Sequence, residues 1–461
     1  MPKFPTHPCP PPGPYQSKPH PPHSTTPRNN RYTQTVRRLI PLFLTALNLG
    51  AAIFPAPNPE FAQRRDKLRN TFSDAVLVLH GAKESEDLHY GFFQDTNFLY
   101  LTGWEEPGAM LVLTPNPDKD DPAFAERSKL PREILFLPQR VPSQEKWTGR
   151  KLGPSDAAID SRTGFTAVLP AERFESEIHR LLESYPNIFT TGTESIAALK
   201  RLAPGRNVND VSPRIGNLRM AKSEAEIARI QYATDASVQA HLASWKAMKP
   251  GQYEYEISAV MESSYLKAGC RRGAYAPIVG SGPNSTVLHY SRNSRRMDSG
   301  EVTVIDVAAE CDNYASDITR TIPVGGKFTP RQREVYEVVL GAQNAAIAAI
   351  KPGVTIQELT KIARDYMNAH GKDLHGEPLG KYFVHGLGHH VGLDVHDLSN
   401  TTFPLRAGMV ITIEPGIYIP EENLGVRIED MLLVTPTGSK IMSAALPRDP
   451  DELERVISQA K

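Results

Sequence analysis

Four carboxylates at mirrored positions in two apolar strand pairs constrain this chain more than any other feature. Asp306 lies in Val304-Ile305-Asp306-Val307 and Asp317 in Ala315-Ser316-Asp317-Ile318-Thr319. An unpaired charge in an apolar strand is costly, so each acid demands a partner. Both stand equally far from Cys311-Asp312. A hairpin symmetric about that point sets them directly opposite on one face, with Cβ atoms about 5 Å apart. Glu414, in Thr412-Ile413-Glu414-Pro415-Gly416, and Glu429, in Val426-Arg427-Ile428-Glu429-Asp430, repeat the device about Glu421-Glu422. Taken singly, each acid reads as an ordinary residue on the solvated face of its hairpin. Two facing acid pairs together repel severely unless cations neutralise them, and two divalent metals meet that need.

The surrounding elements repeat as well. Ser223-Glu224-Ala225-Glu226 is a capping box opening a helix to about Met248, and a second helix is expected over Tyr253 to Lys267. Strands over Val302 to Ala309 and Tyr314 to Val324 follow, joined at Asp312-Asn313. The order then returns. Capping boxes at Thr329-Pro330-Arg331-Gln332 and Thr355-Ile356-Gln357-Glu358 start helices ending near Lys351 and His370, before strands over Met409 to Ile419 and Val426 to Thr435. Two ααββ halves around one shared site account for this pattern.

The chain of 461 residues is long enough for a second domain, and its composition changes twice before this region. Residues 1–38 form a proline-rich extension expected to be disordered, since it cannot bury enough apolar surface. Arg37 and Arg38 then precede an apolar run, and 39–56 follow the layout of a secretory signal. That run is shorter than the roughly 20 residues a spanning helix needs, so no stable membrane anchor is expected. Export to a periplasmic or extracellular space is the expectation, with a cytoplasmic protein and an over-extended start as the alternative. Residues 57–212 read as a mixed α/β domain, with strands at Ala75 to Leu79, Phe98 to Thr102, Ala109 to Leu113 and Ile134 to Leu137. Helices are expected over Glu172 to Ser184 and Ser195 to Leu202. Residues 213–445 carry the acids, and 446–461 read as a tail. Lys+Arg and Asp+Glu both total 52, so no global basic field exists to attract nucleic acid. Three cysteines, Cys9, Cys270 and Cys311, are too few and too scattered for a disulfide framework or zinc knuckle.

Histidines cluster in His385-Gly386-Leu387-Gly388-His389-His390-Val391-Gly392-Leu393-Asp394-Val395-His396-Asp397, with another at Leu288-His289-Tyr290. A lone histidine is weak evidence. Beside the four acids, this set resembles the pita-bread metallopeptidases: methionine aminopeptidase, Xaa-Pro aminopeptidase, prolidase and creatinase. The family's ligand order Asp, Asp, His, Glu, Glu is met by Asp306, Asp317, His389, Glu414 and Glu429. The stretch from His385 to Asp397 is similar to the proline-directed branch, and Asp95-Thr96-Asn97-Phe98-Leu99-Tyr100-Leu101-Thr102-Gly103 resembles its amino-terminal domain. His390 departs from the pattern, where an aromatic or aliphatic residue is commoner, and is expected to affect substrate fit or metal binding.

The resemblance implies an α+β fold: a pita-bread catalytic domain of two pseudo-symmetric halves after a creatinase-like α/β domain. It implies release of the amino-terminal residue from peptides with proline second. Prolidase activity is the nearer alternative and a non-catalytic binding module the remoter one. The cofactor implied is two manganese ions, with cobalt, zinc or iron as substitutes, because the donors are mostly hard oxygens. A water shared by two such metals becomes a nucleophile at neutral pH. By analogy Asp317 and Glu429 bridge, Asp306 holds one metal, and His389 and Glu414 the other. Glu414 also takes a proton from the water, while His289, His385 and His396 steady the intermediate or protonate the leaving nitrogen. Arg427 is similar to an arginine that pairs with a ligand carboxylate. A homodimer or homotetramer is implied.

Overall fold

The computed structural model describes residues 58–84, 91–398 and 401–459. The expected extension over 1–38 and signal segment over 39–56 lie outside those residues.

The amino-terminal half is built on a six-stranded mixed sheet. Helix α1 (Pro59–Arg69), capped by Asn58, leads into β1 (Ala75–His80), α2 (Thr96–Thr102), β2 (Met110–Leu113), α3 (Phe124–Arg127) and β3 (Glu133–Leu137). After them come α4 (Glu145–Thr148), α5 (Ile159–Thr163), β4 (Val168–Pro170), α6 (Phe174–Leu181), β5 (Asn187–Thr190), α7 (Thr193–Leu202), β6 (Asn207–Asp210) and α8 (Ser212–Arg219). The spatial order is β4-β3-β2-β1-β5-β6, antiparallel through β1, β2 and β3 and parallel at the outer pairs. The central strands are apolar on both faces for a reason. Val76, Val78, Val112, Ile134 and Phe136 pack under α6 and α7, while Leu77, Leu79, Leu111 and Leu135 join the core shared with the second half.

Residues Phe98 to Thr102 are helical, which corrects the strand expected there. Their aromatic and β-branched composition favours a strand. The ends decide otherwise: Asp95 Oδ1 accepts the Phe98 amide at 2.8 Å, and Gly103 terminates the helix at φ 64°.

The second half repeats as expected. Helices α9 (Glu224–Ala247) and α10 (Glu254–Lys267) precede β7 (Arg272–Gly273), β8 (Ile278–Ser281), β9 (Val302–Asp306), β10 (Ala309–Cys311), β11 (Tyr314–Ala315) and β12 (Thr319–Pro323). Helices α11 (Pro330–Ala349) and α12 (Ile356–His370) precede β13 (Val410–Ile413), β14 (Gly416–Ile419), β15 (Leu424–Arg427), β16 (Asp430–Val434) and β17 (Ser439–Ile441). All three capping boxes form, each a Ser or Thr facing Glu or Gln three residues on. The segment read as a tail contains α13 (Pro450–Ser458), whose Leu453 and Ile457 enter the main core.

Each long strand pair is broken once, at the residues that carry the acids. In the second hairpin Ile413 pairs with Asp430 and Gly416 with Arg427, so Glu414 and Glu429 face one another across the gap as the spacing predicts. The first hairpin is shifted. Asp306 pairs with Thr319, and Cys311 with Tyr314, so the turn is Asp312-Asn313 and not Cys311-Asp312. Both turn residues have positive φ, 50° and 66°, which Asp and Asn tolerate and cysteine does not. Asp317 therefore lies two residues from the position opposite Asp306, but on the same face because side chains alternate.

Cys270 and Cys311 form a single disulfide that joins the end of α10 to the tip of this hairpin, a pairing that the sequence reading did not single out. Among the described residues no helix is long and apolar enough to cross a membrane.

Candidate metal centre

The two strand breaks converge on a cavity of about 250 Å³ lined by Asp306, Asp317, His389, Glu414 and Glu429 together with His289, His385, His396, Arg427 and Tyr418. All nine residues singled out in the sequence, counting Glu414 once, thus meet at one place. Donor atoms of Asp306, Asp317 and Glu429 lie within 4.8 Å of one another, and so do those of His389, Glu414 and Glu429. The two sets share Glu429. His389 Nε2 is also 3.3 Å from Asp317 Oδ2 and 3.4 Å from Glu414 Oε1.

Elements position each donor. Asp306 ends β9, and Glu429 precedes β16, where its amide donates to the Thr319 carbonyl at 3.0 Å and ties the two hairpins together. His389 sits on a loop pressed against β13: a Cβ on Gly388 would collide with the Thr412 carbonyl, so only glycine fits. The His390 carbonyl, 3.1 Å away, accepts a hydrogen bond from His389 Nδ1–H, the tautomer that leaves Nε2 free to ligate. A buried ion cluster anchors the loop. Arg219 reaches Asp397 at 2.6 Å, Asp394 at 2.7 Å and Asn97 of the amino-terminal half at 2.8 Å, while Lys222 meets Asp397 at 3.0 Å.

Electrostatics explain why such a site wants cations. Burial, with Asp317, Glu414 and Asp306 nearby, pushes the Glu429 carboxyl well above its usual range. Burial lifts Asp306 too, against the pull of Arg427. Glu414 is pushed up to about 7 by burial and by Asp317. Burial opposes charge on His389, yet Asp317 and Glu414 raise it to about 9. The Tyr275 hydroxyl lies 2.5 Å from Asp306 Oδ1 and 2.7 Å from Asp317 Oδ1. It has one proton to share between two carboxylates. Four carboxylates and an imidazole in two overlapping sets fit a pair of divalent cations, which replace the protons otherwise held there.

A hydrogen-bonded chain leads away from Asp306. Arg427 donates to Asp306 Oδ2 at 2.6 Å and to the Tyr418 hydroxyl at 2.9 Å, and Tyr418 lies 2.9 Å from His385 Nε2. His385 Nδ1 faces the Gly386 carbonyl at 2.7 Å, so Nε2 accepts and Tyr418 donates. Burial holds His385 down to about 4, which keeps it neutral. His289 and His396 are exposed at the cavity, and His396 meets the His389 ring edge-on at 4.2 Å. His390, beside the donor His389, is 1% exposed and does not line the cavity, and its backbone forms a β-bridge with Ile411.

Tyr418 and Tyr275 are functional neighbours that the sequence reading missed. Tyr418 alternates with Glu414 and Gly416, a period-two signal that points it to the same face. Tyr275 arrives from a segment without any local signal.

Residues 228–436 match metallopeptidase family M24, and residues 61–189 match the aminopeptidase P N-terminal domain. The chain is 32% identical to Xaa-Pro aminopeptidase of Haemophilus influenzae, over 87% of this chain and 98% of that protein. It is 34% identical to human (Homo sapiens) Xaa-Pro aminopeptidase 3, over 87% of this chain and 86% of that protein. Among solved structures, a putative aminopeptidase P from Bacillus anthracis superposes with a TM-score of 0.79 at 31% identity, covering 88% of this chain and 99% of that one. With both halves matched and the five donors assembled in one cavity, the chain belongs to metallopeptidase family M24, in its aminopeptidase P branch.

Proposed function

We propose that this protein is an Xaa-Pro aminopeptidase that uses two manganese ions to release the first residue of peptides with proline second. The observation that carries the reading is the pair of donor sets sharing Glu429, with three histidines and the Arg427–Tyr418 pair around the same cavity. When bound, the cations acidify a water and polarise the scissile carbonyl. Asp306, Asp317, His389, Glu414 and Glu429 would hold them. Glu414 accepts the proton of the attacking water. His289, His385 and His396 steady the oxyanion or pass a proton to the proline nitrogen, which leaves poorly unprotonated. Tyr418 fixes the His385 ring through their 2.9 Å hydrogen bond, and Arg427 favours the ionised form of Asp306 and aims its carboxylate. Manganese suits a donor set of hard oxygens with one imidazole and no thiolate.

The test compares Ala-Pro-Pro with Ala-Pro after metal analysis and manganese loading. Cleavage of the tripeptide supports the aminopeptidase; cleavage of the dipeptide alone makes the protein a prolidase; hydrolysis of neither makes it a binding module. Export to an oxidising compartment is proposed alongside, supported by the Cys270–Cys311 disulfide. Amino-terminal sequencing of the mature protein checks it. A homodimer or homotetramer is proposed from the family likeness, and light scattering decides its size.

A further inference from the structure

A strand break that frees a ligand also orphans backbone carbonyls, and in each half a helix answers from behind. His241 of α9 is fully buried. Its Nε2 lies 3.2 Å from the carbonyl of Ile318, the residue that follows Asp317. One turn earlier Ser237 Oγ accepts the Ala309 amide at 2.9 Å and meets Ser316 Oγ at 2.8 Å, closing the rest of the gap. Gln343 of α11, also fully buried, backs the break of the second half. The two protons of its amide nitrogen are shared among three acceptors: the carbonyls of Ile413 and Ile428 at 3.0 and 3.1 Å, the residues that precede Glu414 and Glu429, and Asp430 Oδ2 at 3.0 Å. Arg448 donates to Gln343 Oε1 at 2.9 Å and so fixes which end of the amide carries the donors.

Neither side chain lines the cavity. Burial holds His241 near a pKa of 3, so the ring is neutral and has a single proton to give. Both residues are polar where a helix facing a core is ordinarily apolar, and both direct a donor at a carbonyl beside a carboxylate of the centre. We propose that His241 and Gln343 are a matched pair of positioning residues, one per half, that hold the two strand breaks in the shape required for divalent cation binding. His241 governs the Asp306–Asp317 side and Gln343 the Glu414–Glu429 side. Removing the donor leaves a buried carbonyl unsatisfied, and the break relaxes toward regular pairing, which swings the carboxylates out of register.

The inference rests on the metal-centre reading, and the experiment keeps the two apart. Manganese binding to chelator-stripped protein is measured by calorimetry for wild type, His241→Leu, His241→Gln, Gln343→Leu and Gln343→His, with the unfolding midpoint of each metal-free protein as the control. Wild type binding no divalent metal overturns the reading itself. With wild type binding two ions, each leucine variant is expected to bind manganese about 10-fold or more weakly, the scale of outer-shell losses. The reciprocal donors, His241→Gln and Gln343→His, are expected to restore most of it. Leucine variants with unchanged affinity, or donor variants as impaired as the leucine ones at equal unfolding midpoints, overturn the proposal. Should a leucine variant fail to fold, the donor variant of the same residue decides: normal affinity supports the proposal, and loss with a normal midpoint overturns it.

Discussion

Arg427 donates to Asp306 Oδ2 at 2.6 Å with both partners buried, so a permanent cation sits directly behind one carboxylate of the centre. Its guanidinium simultaneously holds the Tyr418 hydroxyl at 2.9 Å. A lysine has no fork and reaches only one of these partners. Arg427→Lys is therefore expected to lower kcat/KM for Ala-Pro-Pro roughly 10- to 100-fold with little change in far-ultraviolet dichroism. Full activity in the lysine variant would refute the role.

Tyr418→Phe tests the next link. The phenyl ring keeps the packing but leaves Arg427 Nη1 and His385 Nε2 without their shared partner. Each unsatisfied buried group costs about 1–3 kcal/mol. The expected outcome is a loss of activity of roughly 10-fold or more, together with a lowered unfolding midpoint; steady-state kinetics and calorimetry read both.

Metal removal exposes the site's own titration. In the stripped protein Glu414 has its carboxyl raised from 4.5 to about 7. A group raised in this way contributes stability below about 4.5 that is lost as pH climbs through about 7. His389, raised from 6.5 to about 9, acts in the same direction over its own range. The stripped protein should thus melt lower at pH 7.5 than at pH 5.5, and the gap to the manganese-loaded protein should widen as pH rises. A gap that narrows with pH would contradict the assignment.

The Cys270–Cys311 bridge closes a loop of sequence separation 41 between α10 and the first hairpin. Chain entropy alone assigns such a loop ~4 kcal/mol. Cys270→Ser, or reduction of the wild type, should lower the unfolding midpoint by several degrees, and thiol titration should find the pair unreactive in the oxidised protein. Free thiols at both positions in protein purified without reductant would remove this support for an oxidising compartment.

Much of the site was legible because it is written as local pattern. Glu414 and Glu429 could be set opposite one another since a hairpin's register follows from its turn, and Glu421-Glu422-Asn423 marks the turn plainly. The same logic slipped at Asp306 and Asp317, because the turn residues needing positive φ are Asp312 and Asn313. Alternation rescued the conclusion: a shift of two residues leaves both acids on one face. Phe98 to Thr102 misled through composition, where an Asp95 cap and Gly103 outweighed strand-forming side chains.

By itself the sequence determined which residues meet at the cavity and that the two acids of each hairpin share a face, since strand periodicity and capping boxes act over a few residues. The tertiary structure alone decided what surrounds them. Tyr275 between the two aspartates, His241 and Gln343 behind the strand breaks, Arg219 beneath the histidine loop and the Cys270–Cys311 bridge all join residues far apart in the chain. Such contacts depend on how buried carbonyls and charges find partners once helices and strands pack, and no local period records that choice.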